Sequence, residues 1–127
     1  PGIMAYLSPV EHNWFMVDFK NIRIRPTNYT LRHDAGPTNM NHLRNWQLQG
    51  NNEGYGDWIT LIDHKDDESL KEPDGTQTWT LPNIKRFYRY FRVKLTGVGS
   101  NGGWYICCSG FEIYGEIKRE GDDGGAK

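Results

Sequence analysis

Short runs of apolar and aromatic residues, each ended by turn-forming residues, recur along this chain. Many of the runs alternate apolar with polar residues, as where Phe91, Val93 and Leu95 are separated by single charged residues. Successive side chains of a β-strand point to opposite faces, so alternation predicts strands with one face in a core and the other in water. Roughly seven runs predict strands, at 13–19, 21–33, 43–50, 58–64, 76–81, 87–95 and 104–117.

The composition is also typical of a β-protein. The 127 residues include only three alanines, but five tryptophans, seven tyrosines, five phenylalanines and 15 glycines. Aromatic side chains favour strands, glycines favour the turns between them, and a chain of this length fits one domain. The only helical element predicted is a short turn near residues 66–71. We therefore predict an all-β fold, an antiparallel sandwich or barrel.

Individual residues and turns predict further details of these strands. Pro26 interrupts the second run, which indicates an edge strand or a bulge. The turn residues at 51–57 join the third and fourth runs as a hairpin. In the fourth run, Leu61 and Ile59 are predicted to face the core and Ile62 the opposite side.

The densest cluster of carboxylates lies in the stretch LIDHKDDESLKEPDG at 61–75. Lysines are interspersed with the acids, and nothing indicates the burial that would shift a carboxyl pKa. Asp66 or Asp67 is suited to cap a short turn, because its carboxylate can accept the exposed N–H groups of that turn. Leu70 would then hold the turn against the sandwich. The stretch is interpreted as a solvated connection, not as an acid–base centre or a metal site.

The charge balance and the cysteines limit the partners and the compartment. The formal net charge of −1 gives no general attraction to nucleic acid or acidic membranes. No run approaches the ~20 apolar residues of a membrane span. Cys107 and Cys108 are adjacent, which would strain a disulfide between them, and two reduced thiols favour an intracellular, cytoplasmic setting. The glycosylation sequon at 28–30, within a predicted strand, argues weakly the other way.

No pattern in the chain indicates an enzyme or a metal centre. Residues 97–102 match the glycine spacing of a nucleotide-binding loop, but that motif requires a helix next and a strand-like run follows here. The four histidines are dispersed, and a calcium loop counted from Asp63 has glutamate where glycine is needed. No nucleophile motif occurs. We predict a non-catalytic chain that uses no cofactor.

Two connections are predicted to be binding loops. Residues 33–42, HDAGPTNMNH, form a long polar connection with a methionine, and residues 96–105 place a tryptophan beside a glycine-rich stretch. Loops on a rigid sandwich commonly carry recognition, and exposed Met and Trp side chains serve as anchors. The alternative for Trp104 is burial in the core, because tryptophan is highly buried on average. The candidate ligand-binding residues are Asp34, Asn39, Met40, Asn41, His42, Trp104 and Tyr105.

Several motifs, taken in order, carry a family resemblance. They are YTLRH at 29–33, LRNW at 43–46 and SGFE at 109–112. Together they resemble the galactose-binding-like β-sandwich of discoidin or coagulation factor 5/8 C-type modules, above all the intracellular branch in HECT-type ubiquitin ligases and BTB-domain adaptor proteins. The resemblance covers residues 13–115. It implies a jelly-roll-like sandwich whose ligands meet loops at one end, with 33–42 as the recognition loop.

The resemblance also sets the expected organisation and function. Residues 1–12 are a lead-in, too short for the further strand that family members have there, 13–117 form the sandwich and 118–127 a flexible tail. The disulfide that ties the termini of secreted discoidin modules is missing. The expected function is non-catalytic recognition, in a larger intracellular protein, of a protein or peptide partner in a ubiquitin-ligase or adaptor context. The alternative is a lectin-like carbohydrate-binding module with a structural calcium, and neither nucleic acid nor membrane is an expected partner.

Overall fold

Eight β-strands make up most of the computed structural model, which describes residues 3–6, 14–33, 42–72, 75–100, 102, 106 and 108–119. Strands β2 to β8 each overlap one of the runs predicted from the sequence. Within the described ranges, no helix has the length and apolar character needed to cross a bilayer. The strands are β1 Ile3–Tyr6, β2 Trp14–Asp18, β3 Ile22–His33, β4 Trp46–Asn51, β5 Ile59–His64, β6 Thr76–Thr80, β7 Tyr90–Leu95 and β8 Cys108–Arg119.

The strands form two four-stranded sheets. The first sheet has the order β1-β8-β3-β6 and the second the order β2-β7-β4-β5. All of the pairings within these sheets are antiparallel, and most neighbours in space are distant in sequence. The predicted antiparallel, jelly-roll-like β-sandwich is therefore confirmed.

The core lies between the two sheets. Phe91, Val93 and Leu95 of β7 are at most 3% exposed, as their alternation predicted. Tyr29 and Leu31 supply the core from β3 in the other sheet and are fully buried. Burying each such side chain stabilises the fold by about 1.5–3 kcal/mol.

A bulge in β3 accommodates Pro26. The register of β3 to β8 shifts between Pro26 and Asn28. β3 lies between β8 and β6 in the order of the sheet, but its pairing with β6 begins only at Asn28. The predicted bulge is therefore present, and Pro26 pairs with β8 alone of the two neighbouring strands.

A second bulge, in the β4–β5 hairpin, changes which side chains of β5 face the core. The register shifts after Leu48, which lies opposite Ile62, so that Gly50 lies opposite Ile59. Leu61 is buried and Ile62 packs against the core, whereas Ile59 is 44% exposed. The predicted inward position of Ile59 and outward position of Ile62 are therefore wrong, because one extra residue moves the side chains beyond it to the other face.

Strands extend into both predicted flanking segments. β1 lies within the predicted lead-in and pairs with β8, with Ile3 opposite Ile113. The expectation that residues 1–12 are too short for a further strand is therefore wrong. At the other end, β8 continues to Arg119, inside the predicted tail.

The predicted turn near residues 66–71 is present but is not helical. Asp66 has a φ of 51°, outside the helical region. Asp67 caps the turn, because its Oδ1 accepts the Ser69 N–H at 2.8 Å. Leu70 is 1% exposed, as expected of a side chain that holds the turn against the sandwich.

Several connections leave from the same end of the sandwich, which we call the loop end. The paired strand ends fix this arrangement, since Tyr6 lies opposite Gly110, and Trp46 lies opposite both His64 and Leu95. The connections at the loop end are 7–13, 34–45, 65–75 and 96–107.

Candidate functional site

Paired hydrogen bonds between His42 and Ser100 join two connections of the loop end. The His42 N–H donates to Ser100 Oγ at 2.8 Å, and the Ser100 N–H donates to the His42 carbonyl oxygen at 3.0 Å. His42 ends the predicted recognition loop, and Ser100 lies in the second predicted loop. Where the structure describes them, the two loops lie side by side.

Asn45 links three of the connections. Its Nδ2 donates to the Val98 carbonyl oxygen at 3.0 Å, and its Oδ1 accepts the Asp66 N–H at 2.8 Å. The Asn45 carbonyl oxygen also accepts the Thr96 N–H at 3.1 Å. One side chain therefore holds the 34–45, 65–75 and 96–107 connections in a fixed relation.

Arg44 ties the same segment to the acidic connection. Its Nη2 donates to Asp66 Oδ1 in an ion pair, and its carbonyl oxygen accepts the Asp67 N–H at 2.8 Å. Asp66 is largely exposed, and pairs of this kind contribute about 0–1 kcal/mol to stability. The Arg44 contacts therefore position the acidic connection more than they stabilise the fold.

The His42 ring lies half-buried beside the end of β3. It packs edge-on against His33, with ring centroids 6.4 Å apart, and its Nε2 is buried with no hydrogen-bond partner among the described residues. Burial lowers the pKa of His42, and electrostatic interactions with His33 and Arg44 lower it further. The ring is therefore neutral at pH 7, and a ligand group or water that reached Nε2 would remove the penalty of an unpaired buried nitrogen.

A chain of buried polar groups lies between the sheets beneath the loop end. Trp46 Nε1 donates to the Tyr29 hydroxyl at 2.9 Å, and that hydroxyl lies 2.6 Å from His64 Nε2. His64 Nδ1 lies 2.8 Å from Asp67 Oδ2, and Ser69 donates to the other carboxylate oxygen. The His64 ring also stacks on Trp46 at 4.1 Å between centroids.

The hydrogen bonds of this chain fix a neutral His64. If Nδ1 carries the proton and donates to Asp67, then Nε2 accepts the Tyr29 hydroxyl proton, and that oxygen accepts the Trp46 N–H. Burial lowers the pKa of His64 despite the opposing effect of Asp67. Burial raises the pKa of Asp67, but hydrogen bonds from Ser69 and His64 outweigh it and hold that pKa below its usual value.

Of the predicted ligand-binding residues, the structure describes only His42. Asp34, Asn39, Met40, Asn41, Trp104 and Tyr105 lie outside the described residues. Cys107 does too, while Cys108 is buried at the start of β8. The loop-end assignment of these residues rests on the positions of the strands on either side of them.

Sequence reasoning missed Asn45, Ser100 and His64 at this end. Asn45 lies between two residues of the LRNW motif that was noted for its resemblance alone. His64 was one of four dispersed histidines to which no role was assigned, although its neighbour across the hairpin is Trp46, which is fully buried. The pairing of His64 with Trp46 depends on the register between the two strands, which the local sequence does not indicate.

No group of three or more His, Cys, Asp or Glu side chains suited to a metal ion occurs among the described residues. The calcium of the alternative prediction therefore has no cluster of carboxylates to bind it among the described residues.

Comparison with known proteins identifies relatives among ubiquitin ligases. No protein-family model matches the chain. The chain is 42% identical over 114 residues to E3 ubiquitin-protein ligase Ufd4 of Drosophila melanogaster, and this match covers 87% of the chain. It is 38% identical over 117 residues to E3 ubiquitin-protein ligase hecd-1 of Caenorhabditis elegans, and that match covers 91% of the chain. The chain spans only 4% of the length of each relative.

A solved structure shares the fold. The family 32 carbohydrate-binding module from Streptococcus pneumoniae EndoD superposes with a TM-score of 0.58 at 12% sequence identity, over 81% of this chain and 69% of that module. At such low identity the likeness concerns the β-sandwich alone.

Proposed function

We propose that this chain is a non-catalytic recognition module of a larger ubiquitin ligase of the HECT type, and that it docks a protein or peptide partner at the loop end. The observation that carries the proposal is the pair of hydrogen bonds between His42 and Ser100. These bonds hold the described ends of the two candidate loops, at His42 and Ser100, together on a rigid sandwich. Preorganised loops lose less conformational entropy when a partner binds.

Similarity to two ubiquitin ligases supports the context of the proposal. The matched segment is a small part of each ligase, which suits an accessory module that brings a substrate or regulator to a separate catalytic region. A ligase context implies an intracellular, cytoplasmic setting. The contacts with the partner are assigned to Asp34, Asn39, Met40, Asn41, His42, Trp104 and Tyr105.

The geometry of the histidine–carboxylate pair supports a non-catalytic role. His64 is 4% exposed, and both of its ring nitrogens have partners, Tyr29 and Asp67. A general base must reach a proton of the substrate, and a ring enclosed in this way does not. The pair therefore acts as part of the core.

The second candidate function is carbohydrate binding. The observation that favours it is the shared fold with a family 32 carbohydrate-binding module. Fold alone does not fix function, and a sugar site needs an aromatic platform with convergent polar groups. Trp104 and Tyr105 with Asn39, Asn41 and His42 would supply these groups.

The test compares partners of the full-length ligase with and without the site. A triple variant carries Met40→Ala, His42→Ala and Trp104→Ala, and a matched control carries Tyr55→Ala, which removes a 70% exposed aromatic side chain of the β4–β5 connection at the opposite end. Proximity labelling with each protein is read by quantitative mass spectrometry. Thermal unfolding of the 127-residue chain verifies that both variants fold.

We expect the triple variant to lose a defined set of labelled proteins that the Tyr55→Ala control keeps. Identical sets for a folded triple variant and the control would refute docking at the loop end. A glycan array and a calcium titration by calorimetry address the second candidate. Sugar binding that the triple variant abolishes would replace the peptide-docking proposal with the carbohydrate one.

A further inference from the structure

The outer face of the second sheet carries an arginine held between two tryptophan rings. The guanidinium carbon of Arg92 lies 4.4 Å from the centroid of Trp58 and 5.6 Å from that of Trp14. Met16 lies opposite Arg92 on β2, and both Met16 and Trp14 are more than one-third exposed. Trp, Arg and Met are enriched in protein interfaces, and Trp and Arg dominate the binding energy at their centres.

Hydrogen bonds to neutral amide groups fix the orientation of the Arg92 side chain. Its Nε donates to Gln49 Oε1 at 2.6 Å, and Gln49 in turn donates to Gln47 Oε1 at 2.9 Å. Thr60 Oγ1 donates to the same Gln47 oxygen at 3.1 Å. The stacking and this chain of amides hold the guanidinium in one orientation, so little rotamer entropy is left to lose on binding.

Arg92 and Lys94 form no ion pair with a described residue. The terminal amino groups of Arg92 have no acceptor among the described residues, and burial lowers the pKa of its guanidinium, which stays protonated. Among acidic residues of the same sheet, Asp18 pairs with Arg89, and Asp63 lies 4.0 Å from Lys65. Two neighbouring cations on β7 therefore lack a counter-charge among the residues that the structure describes, which favours an acidic occupant of this face.

The spacing of the two cations indicates the form of that occupant. Arg92 and Lys94 are two residues apart on one strand and project to the same face, about 7 Å apart at the backbone. Alternate residues of an extended peptide repeat at the same distance and also share a face. Carboxylates at positions i and i+2 of a bound extended segment would therefore match Lys94 and Arg92, and an apolar side chain at i+4 would lie towards Trp58.

We propose that the outer face of the β2-β7-β4-β5 sheet binds an extended acidic segment of a partner protein, with an acid-x-acid pattern whose carboxylates pair with Arg92 and Lys94 between Trp14 and Trp58. This site lies on a sheet face and does not depend on the loop-end proposal. The guanidinium supplies charge-assisted, bidentate hydrogen bonds to one carboxylate. The flanking indole rings exclude water from that pair.

The test is a nuclear magnetic resonance titration of the 127-residue chain with three capped peptides. The first is Gly-Asp-Ser-Asp-Ser-Leu-Gly, the second replaces both acids with Asn, and the third, Gly-Ser-Asp-Asp-Ser-Leu-Gly, keeps the charge but changes the spacing. The signals followed are the indole N–H groups of Trp14 and Trp58 and the Nε–H of Arg92. We expect saturable shifts of all three signals with the first peptide, at an apparent Kd at least about tenfold below that of the Asn peptide.

Variants separate local from general charge effects. Arg92→Gln should reduce the affinity for the first peptide to that for the Asn peptide, whereas Lys118→Gln removes one positive charge beside Phe87, on the other sheet, and should change nothing. If thermal unfolding shows that Arg92→Gln does not fold, Lys94→Gln replaces it and should abolish the preference for acid-x-acid over adjacent acids.

Four results would overturn the proposal. They are equal affinity for the acidic and Asn peptides, shifts confined to other residues, the same shifts produced by raising the protein concentration alone, and the same shifts produced by galactose or N-acetylglucosamine. The third would assign the face to a second copy of the chain, and the fourth to carbohydrate.

Discussion

The hydroxyl of Tyr29 lies 2.6 Å from Nε2 of His64 and joins the two sheets of the sandwich through a polar contact. Tyr29 belongs to β3 of the first sheet and His64 to β5 of the second. Trp46 donates to the same hydroxyl, so one oxygen satisfies two buried groups. Buried polar groups that are fully paired specify one arrangement of a core, and partly paired groups destabilise it.

Tyr29→Phe should destabilise the chain by about 2–3 kcal/mol, because it leaves the Trp46 N–H and His64 Nε2 buried without partners. Urea unfolding followed by tryptophan fluorescence measures the change. The matched control is Tyr114→Phe, a half-buried tyrosine of β8 whose hydroxyl forms no hydrogen bond with a described residue, and its effect should stay within about 0.5 kcal/mol. Equal effects of the two substitutions would show that the buried chain contributes nothing specific.

The lowered pKa of His64 makes stability depend on pH. In the unfolded chain His64 binds a proton near pH 6.5, and in the folded chain it does so only at lower pH. The unfolded state therefore holds more protons below that value, and its population rises as the pH falls. The contribution of His64 to stability is complete above pH 6.5 and declines as the pH falls through it.

Urea unfolding at pH 7.5 and at pH 5.5 should therefore show a loss of stability on acidification that His64→Gln reduces. Asp67 does not interfere, because its pKa is lowered below 3.8 and its effect appears only in stronger acid. The pKa of His42 is also lowered, so His42→Gln should remove a separate part of the pH dependence. An unchanged pH dependence in both variants would contradict the neutral state assigned to these rings.

Strand positions followed from alternation because one face of most strands is buried. β3, β6 and β7 lie within their predicted runs, and the alternating residues of β7 are buried as expected. β1 was missed, since its four residues, IMAY, show no alternation and pair with β8 near the other end of the chain. A strand of this kind depends on its partner strand, which local sequence does not reveal.

The side chains of β5 that face the core show a second limit of prediction from the sequence. A strict period of two, counted from Leu61, put Ile59 inside and left His64 outside. The bulge after Leu48 breaks that period, so His64 and Leu61 both lie in the core. Turn composition indicated the hairpin, but a one-residue change of register leaves no mark in composition.

At the loop end, the sequence indicated which connections meet, because an antiparallel fold returns alternate connections to the same end. It did not indicate the side chains that join them. Asn45 and Ser100 act through backbone groups of residues far along the chain, and polar residues of this type are common in any loop. Their roles depend on three-dimensional proximity.

Asn45→Ala should loosen the loop end without disturbing the core. The substitution removes the hydrogen bonds to Val98 and Asp66, so we expect a stability loss of about 1–2 kcal/mol and faster hydrogen exchange of the Asp66 N–H. Asn28→Ala is the control, because it removes a bond to Thr80 on the first sheet. If Asp66 exchanged at the same rate in both variants, Asn45 would not be the residue that fixes these connections.

Gly115 should tolerate no side chain, because it lies opposite the Pro26 bulge. A Cβ there would be 2.2 Å from the Arg25 carbonyl oxygen and 2.8 Å from the Pro26 Cα, both backbone atoms of the central strand β3. Gly115→Ala must therefore separate β3 from β8, and we expect a loss of about 3 kcal/mol or more in urea unfolding. Gly56→Ala separates this steric effect from backbone strain, since Gly56 has a φ of +83° but open space around it and should lose about 1–2 kcal/mol. A smaller loss at Gly115 than at Gly56 would mean that the two strands can move apart at the bulge, and that the Pro26 bulge does not fix the register of the central pair.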